Sequence, residues 1–339
     1  MKNRISSLIL AVFCSFMLIA SGQAQAKDSY KIGAAVYGLK GEFMRLWKTA
    51  LERHPAVKSG LVKVTVFDGK YDASVQQSQF ETMVTQGFDA IIFVPIDIEA
   101  GAAAVELAAS ENIPVIGSNT RVNSDKLTSY IGSNDVESGG MEAEAVLKKI
   151  GYKGNVVIIE GPIGQSAQIE RRKGNLMVLK KNPDVKLLEM KTANWSRAEA
   201  MSLMENWLSA HPEQIQGIIG QNDEMALGAI QALKAAGENP KSFAIAGIDG
   251  VTDAMMAVKD GTMVSILQDA TGQAQGALDL ALRAVIGESY KPTAKCWTQY
   301  KDGMPWGDNL QKVYNVPWTP ITNDNVDSLL KEREELTKR

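Results

Sequence analysis

From about residue 30 onward the chain alternates two hydrophobic patterns. Short, continuous apolar runs rich in β-branched residues occupy 31–36, 62–67, 89–94, 113–117 and 128–131. Runs of that length are too short for ordinary helices and read as strands buried on both faces. Between them, 43–53, 72–86 and 101–110 repeat apolar residues every three or four positions. Phe43, Leu46, Trp47, Ala50 and Leu51 form one such stripe, and Gly87 closes the second segment as a C′ glycine does. The series then restarts with a helix over 136–150. Strands follow at 155–159, 185–190, 215–220, 243–248 and 263–267, with helices over 165–181, 197–210, 224–236, 252–259 and 272–286. The alternation predicts an α/β protein of two doubly wound parallel-sheet lobes, without a close internal sequence repeat.

The two ends depart from this pattern. After Gly287, residues 296–325 carry Trp297, Trp306 and Trp318 with Pro305, Pro317 and Pro320, and they read as an extended tail packing across the lobes. The last residues, 327–339, are charged and helix-compatible, with a terminal helix that frays. At the other end, Lys2 and Arg4 precede an apolar run over 5–20 and the small-residue site Ala24-Gln25-Ala26. This is the layout of a cleavable secretory signal, cut after Ala26. The apolar run is shorter than the roughly 20 residues that span a bilayer.

Composition narrows the class further. With 339 residues, 45% of them hydrophobic, the chain is globular and long enough for two domains. Cleavage removes Cys14 and leaves Cys296 alone, so no internal disulfide and no cysteine metal site is expected. It also removes Lys2 and Arg4, leaving 34 basic against 39 acidic groups, a charge of −5 that argues against a nucleic-acid partner. The two histidines, His54 and His211, each precede a proline and read as loop or helix-end residues.

No enzyme motif is present. Gly33 and Gly38 have P-loop spacing, but Leu39 stands where the lysine should follow. There is no GxGxxG after the first strand, and no HExxH, CxxC or GxSxG. Neither catalysis, a cofactor nor a bound metal is expected.

What stands out instead is polar and aromatic residues at carboxyl ends of strands, where open α/β sheets bind ligands. Asn222 follows the strand at 215–220, Asp249 the strand at 243–248, Gln268 the strand at 263–267 and Asn119 the strand at 113–117. Arg171 lies on the helix after the strand at 155–159, Phe43 opens the first helix and Trp195 precedes the helix from Arg197. Asn, Asp, Gln and Arg present several donors and acceptors, and aromatic faces cover C–H faces. The set suits a neutral polyhydroxylated small molecule. Each residue also has a structural reading. Asn222 and Asp249 suit helix caps, although Asp223 can cap in place of Asn222. Phe43 and Trp195 suit the core, and Arg171 lies in Glu170-Arg171-Arg172-Lys173, a typical solvated helix face.

Three segments, QNDEMALGA, AGIDGVTDAM and SILQDATGQAQGAL, resemble the periplasmic sugar-binding proteins of ribose type. QGFDAIIFVPID, ENIPVIGSN, GSNDVESGG and SAQIERRKGN extend the resemblance over roughly residues 30–292. It implies a ligand held in a cleft between lobes that close on it, and an ABC permease that takes it from the closed form. It further implies crossings near 132–134, 268–270 and 293–296. One lobe would comprise 30–133 with 269–293, the other 134–268 with 294–300, and 301–339 would be the tail. Carried over, the pocket comprises Phe43, Arg171, Trp195, Asn222, Asp249 and Gln268, with Asn119 at the fourth strand exit. Trp195 and Phe43 would sandwich the sugar ring. The family pattern has Asp-Arg where Asn119-Thr120 stands, with Arg121 one residue on, and this argues against ribose itself. Gly41 replaces a ligand-binding Asn, and Lys40 and Glu42 beside it could reach the ligand. The expectation is a monomeric periplasmic solute-binding protein of an ABC importer, taking a pentose, hexose or inositol-like polyol. The alternative is a periplasmic sensor presenting its ligand to a histidine kinase or chemoreceptor.

Overall fold

The apolar runs and periodic segments become strands and helices in nearly the expected order. The computed structural model describes residues 27–299 and 310–338; the leader through Ala26, Pro305 and Trp306 lie outside the described residues. The first series is β1 (Tyr30–Val36), α1 (Glu42–Glu52), α2 (Pro55–Lys58), β2 (Val62–Asp68), α3 (Ala73–Thr85), β3 (Ala90–Val94), α4 (Ala100–Ser110), β4 (Val115–Ser118) and β5 (Ser129–Gly132). The second is α5 (Asp135–Lys149), β6 (Gly154–Glu160), α6 (Ser166–Lys181), β7 (Val185–Thr192), α7 (Arg197–Ala210), β8 (Gly217–Gly220), α8 (Asp223–Ala235), β9 (Ala244–Asp249), α9 (Thr252–Lys259) and β10 (Val264–Leu267). α10 (Ala270–Ile286), β11 (Val313–Asn315), β12 (Thr319–Pro320) and α11 (Val326–Thr337) complete the described chain.

The strands form two six-stranded sheets, ordered β2-β1-β3-β4-β5-β11 and β7-β6-β8-β9-β10-β12. All pairings are parallel except β10 with β12. The order reverses between β1 and β3 in one sheet and between β6 and β8 in the other. At such switch points the loops leaving the carboxyl ends diverge and open a crevice. β3 is buried along its whole length, as strands covered by helices on both faces must be.

Among the described residues the chain passes between the sheets three times. The first passage is Ser133–Asn134, between β5 and α5, and the second is Gln268–Asp269, between β10 and α10. The third differs from expectation. Residues 293–296 do not cross: Thr293, Ala294 and Trp297 all donate to the buried carboxylate of Asp279 on α10, which packs against α1, β3, β4 and β5 of the first lobe. The crossing lies at Val316–Trp318, between β11 on the first sheet and β12 on the second. Residues 294–299 thus stay with the first lobe, held by satisfying one buried acid. α2 is also absent from the expectation; Pro55 opens it and the His54 ring accepts from the Ala56 N–H. α11 packs against α1 and α9, with Val326 buried, rather than hanging free.

One close approach positions the site. α5 and α6 cross at Gly139 and Gly174. A Cβ at Gly139 would collide with the carbonyl oxygen of Arg171, and one at Gly174 with that of Val136. Only glycines permit this backbone contact, which brings Arg171 on α6 to Asp135 at the start of α5. Gly139→Ala and Gly174→Ala are expected to destabilise the protein by about 1–3 kcal/mol through overpacking. Gly140→Ala, whose new Cβ would have only Val178 in ordinary contact at 4.0 Å, should stabilise it by up to about 1 kcal/mol. Urea unfolding of the three variants measures this; equal midpoints for Gly139→Ala and Gly140→Ala would refute the close-approach account.

Candidate functional site

Arg171 is the centre of the polar cluster at the second sheet's carboxyl edge. Its Nε donates to Asp135 Oδ1 at 2.8 Å, its Nη1 to the Gln221 carbonyl at 2.6 Å and its Nη2 to Gln268 Oε1 at 3.3 Å. Its guanidinium carbon lies 5.5 Å from the ring centroid of Trp195 and 5.6 Å from that of Trp318. The solvated-face reading belongs instead to the next residue: Arg172 forks onto Glu160 at 2.6 and 2.7 Å from the helix exterior.

The other candidates surround this group unequally. Asn222 caps α8, its Oδ1 accepting from the Met225 N–H at 2.9 Å, while its Nδ2 has no partner among the described residues. Asp223, the alternative cap, instead turns to the Val251 N–H and the Ser265 hydroxyl. Asp249 ends β9, and the Gln268 N–H donates to its carbonyl. No described residue donates to the Asp249 carboxylate. Gln268 uses its Oε1 on Arg171, and its buried Nε2 is unpartnered. Trp195 donates its indole N–H to Gln165 Oε1 at 2.7 Å, and its ring covers Gly161, where a Cβ would collide with it.

The first lobe contributes differently. Asn119 gives its Nδ2 to Gln273 Oε1 at 3.0 Å, and Gln273 Nε2 reaches the Ser133 hydroxyl at 3.1 Å. Phe43 is buried in the first turn of α1, in an apolar cluster that also includes Tyr37 and Trp195. Of the seven candidates, Arg171, Gln268, Trp195, Asp249 and Asn222 gather on the second lobe, with Asn119 and Phe43 on the first. Asn119, Trp195 and Asp249 have φ of +62°, +59° and +123°. Positive φ is costly in non-glycine residues and persists where surroundings over-determine it, typically at ligand sites.

Charge is held here against solvation. Burial pushes the Asp249 carboxyl well above its ordinary range; Arg171 pulls it down, while Asp223, Glu224 and Asp135 add to the rise. Burial likewise raises Asp135, opposed by Arg171, and Glu142, opposed by its hydrogen bond from Asn175. It lifts Asp223 to about 7. For Arg171, burial acts downward, but Asp135, Asp249 and Glu142 together hold it above its usual value. Burial raises the Tyr37 hydroxyl too, with Tyr71 and Asp249 contributing, which places this phenol by the same cluster.

The lobes meet along two lips. At one, the Ile98 N–H donates to the Gly164 carbonyl at 3.0 Å, Gln165 Nε2 to the Pro95 carbonyl at 3.1 Å and the Arg121 N–H to the Ser166 hydroxyl at 2.7 Å. At the other, Glu42 Oε1 accepts from the Thr252 N–H, the Thr252 hydroxyl and Arg333 Nη1 at 3.0, 2.6 and 2.9 Å. Glu42 thus joins the lobes, and Arg121 lies over the Tyr130 ring at 4.3 Å. An outer cleft of about 780 Å³ opens between Lys40, Tyr71 and Ile96 of the first lobe and Ile163, Trp195 and Glu224 of the second. Trp195 alone among the seven candidates lines it.

Sequence reasoning did not single out Asp135, Tyr37, Gln165, Gln273 or Trp318. Asp135 carries a signal, an acid just after the strand at 128–131, but it reads equally as a helix start. Trp318 carries none, because its segment has no periodicity.

The buried carboxylates have a consequence for stability. An acid whose folded pKa is raised binds more protons folded than unfolded, so stability falls as pH rises between the two values. For Asp223 that window runs from the ordinary aspartate value of 3.8 to about 7, and the other buried acids act in the same direction. The ligand-free protein should therefore melt at a higher temperature near pH 5 than near pH 7.5, about the upper half of this window and just beyond it. Calorimetric scans read this; a midpoint that falls on acidification would overturn it.

Two facing α/β lobes, hydrogen-bonded to each other at two lips around a cluster of incompletely paired polar groups, define a cleft-type solute-binding protein. The pattern of the periplasmic binding protein domain matches residues 32–289, and the chain belongs to that family, among its ribose-type sugar-binding members. These are solute-binding proteins and not enzymes. The chain is 36% identical over 309 residues to a xylitol-binding protein of Mycolicibacterium smegmatis, covering 91% of this chain and 81% of that one. It is 30% identical over 291 residues to the ribose import binding protein of Bacillus subtilis, covering 86% and 87%. An ABC transporter solute-binding protein from Bacillus halodurans, solved with bound myo-inositol, superimposes with a TM-score of 0.79 at 30% identity, covering 91% of this chain and 99% of that one.

Proposed function

We propose that this protein captures a neutral monosaccharide or sugar alcohol between its lobes and delivers it to an ABC permease. The observation that carries the reading is the set of unengaged polar groups beside Arg171: the Asp249 carboxylate, Gln268 Nε2 and Asn222 Nδ2. Buried polar groups are normally paired, so this set calls for a ligand that supplies both donors and acceptors. Hydroxyls do both. Asp249 accepts from one, Gln268 and Asn222 donate to others, and Arg171 offers N–H groups. Trp195 supplies an apolar face for C–H groups, with Phe43 opposite it on the first lobe. Relatives named for xylitol and ribose and the neighbour with myo-inositol support a polyhydroxylated ligand. Export to the periplasm with cleavage after Ala26 and a monomeric state are part of the same proposal.

Capture works by closure. The open and closed forms are in equilibrium, and a ligand contacting both lobes binds the closed form better and shifts the population. The lip contacts form only when the lobes approach. A sensor would share this fold and site. The fructose-binding periplasmic domain of a hybrid two-component system, 24% identical with a TM-score of 0.78, shows that the fold serves there too. Co-purification with permease components, against a kinase ectodomain, separates the two roles.

Thermal unfolding of the mature protein against sugars, polyols and inositols tests the ligand class. A ligand at a hundred times its Kd adds about 2.7 kcal/mol, several degrees. Asp249→Ala should then weaken that ligand by about 1.5–3 kcal/mol, the range for a hydrogen bond to a charged group. Unshifted melting with every polyhydroxyl compound, after pre-bound ligand is removed by partial unfolding, would reject the ligand class. Unchanged affinity in Asp249→Ala would reject the site.

A further inference from the structure

The family pattern ends at residue 289, yet one aromatic beyond it reaches the centre of the site. Trp318 lies on the third passage between the sheets. Its Nε1 donates to the Asn134 carbonyl on the first passage at 2.8 Å. Its ring packs with Ile248 and Ile266, with Met141 against them, and its centroid lies 5.6 Å from the Arg171 guanidinium carbon. Asn134 is followed directly by Asp135, the acid that binds Arg171 Nε. Trp318 therefore acts on Arg171 from two directions. It presents a ring face to the guanidinium and anchors the segment that carries the guanidinium's counter-ion.

The guanidinium's orientation decides what it can offer. Arg carries five N–H donors in a planar fork. Those engaged by Asp135, Gln221 and Gln268 leave one on each terminal nitrogen without a described partner. The direction of those two donors follows the plane of the group. The hydrogen bonds to Asp135, Gln221 and Gln268 define that plane at its edges, and the rings of Trp195 and Trp318 lie 5.5 and 5.6 Å from its central carbon.

We propose that Trp318 is a positioning residue for Arg171, so that the tail beyond the family domain is a working part of the binding site. The inference rests on the reading that Arg171 binds the ligand. Trp318→Phe keeps a ring face and loses the N–H; Trp318→Leu keeps apolar volume and loses the ring. Calorimetric titration of the full mature chain with myo-inositol, xylitol and ribose, alongside melting of the ligand-free proteins, reads the difference. Expected is a small loss for Trp318→Phe, which gives up only the hydrogen bond to Asn134, and about threefold to thirtyfold weaker binding for Trp318→Leu than for Trp318→Phe, the span of cation–π effects from exposed to desolvated sites. The ligand-free melting points of the two variants should match. In an Arg171→Lys background the difference between Phe and Leu should shrink, because coupled residues are not additive.

Equal affinities for Trp318→Phe and Trp318→Leu, or losses that track melting points, would leave Trp318 a packing residue and overturn the proposal. A wild type that binds none of the three probes would overturn the underlying ligand reading, and the inference with it. Binding by wild type with equal variants overturns the inference alone.

Discussion

A buried guanidinium is the constraint on which the site depends. Removing a charge from water costs several kcal/mol even after relaxation, and only good geometry with full hydrogen bonding compensates. Arg171 meets part of that demand with a carboxylate, a carbonyl, an amide oxygen and nearby aromatic rings, and keeps two N–H donors without a described partner. Each of these comes from a different element: Asp135 from α5, Gln221 from the exit of β8, Gln268 from the exit of β10. The arginine thus ties the strand exits of the second lobe to one point. The close passage of α5 and α6 at Gly139 and Gly174 follows from the same demand, since a wider crossing would carry the guanidinium away from Asp135.

The untied groups beside Arg171 are informative when set against a buried acid that is fully tied. Asp279 shows what a satisfied buried acid looks like here, with donors from His54, Tyr290, Thr293, Ala294 and Trp297. Asp249 has a similar depth of burial and no such donors. Its backbone is strained as well. A fold able to satisfy one buried acid so fully has left another without donors at the carboxyl edge of its sheet, where the proposed ligand would complete the set.

Much of this was legible from sequence, and the limits have physical causes. Parallel strands covered on both faces must be continuous apolar runs, so the two series and their exits stand out. A residue at a strand exit can be placed without knowing its partners, which is why Asn222, Asp249 and Gln268 could be named. Arg171 and Arg172 are adjacent, and only the rotation of α6 against α5 decides which turns inward; local sequence does not encode it. The third crossing was misplaced because its signals are nonlocal. β11 has three residues and β12 two, and each is a strand only because β5 or β10 lies beside it. The proline-rich tail has no periodicity to read.

That tail changes how closure should be understood. Its strands belong to different sheets, and α11 then packs on both α1 and α9. Arg333 on α11 contacts Glu42 of the first lobe and the Gly250 carbonyl of the second at 2.9 Å each. Glu42 precedes Phe43, and Gly250 follows Asp249, so this bridge is one residue from the candidate pocket on each side. A segment bound to both lobes at the hinge and again at the opposite lip resists their separation at two points. In the proposed closure, two lobes would then not only meet over a ligand; one strap would also seat against both.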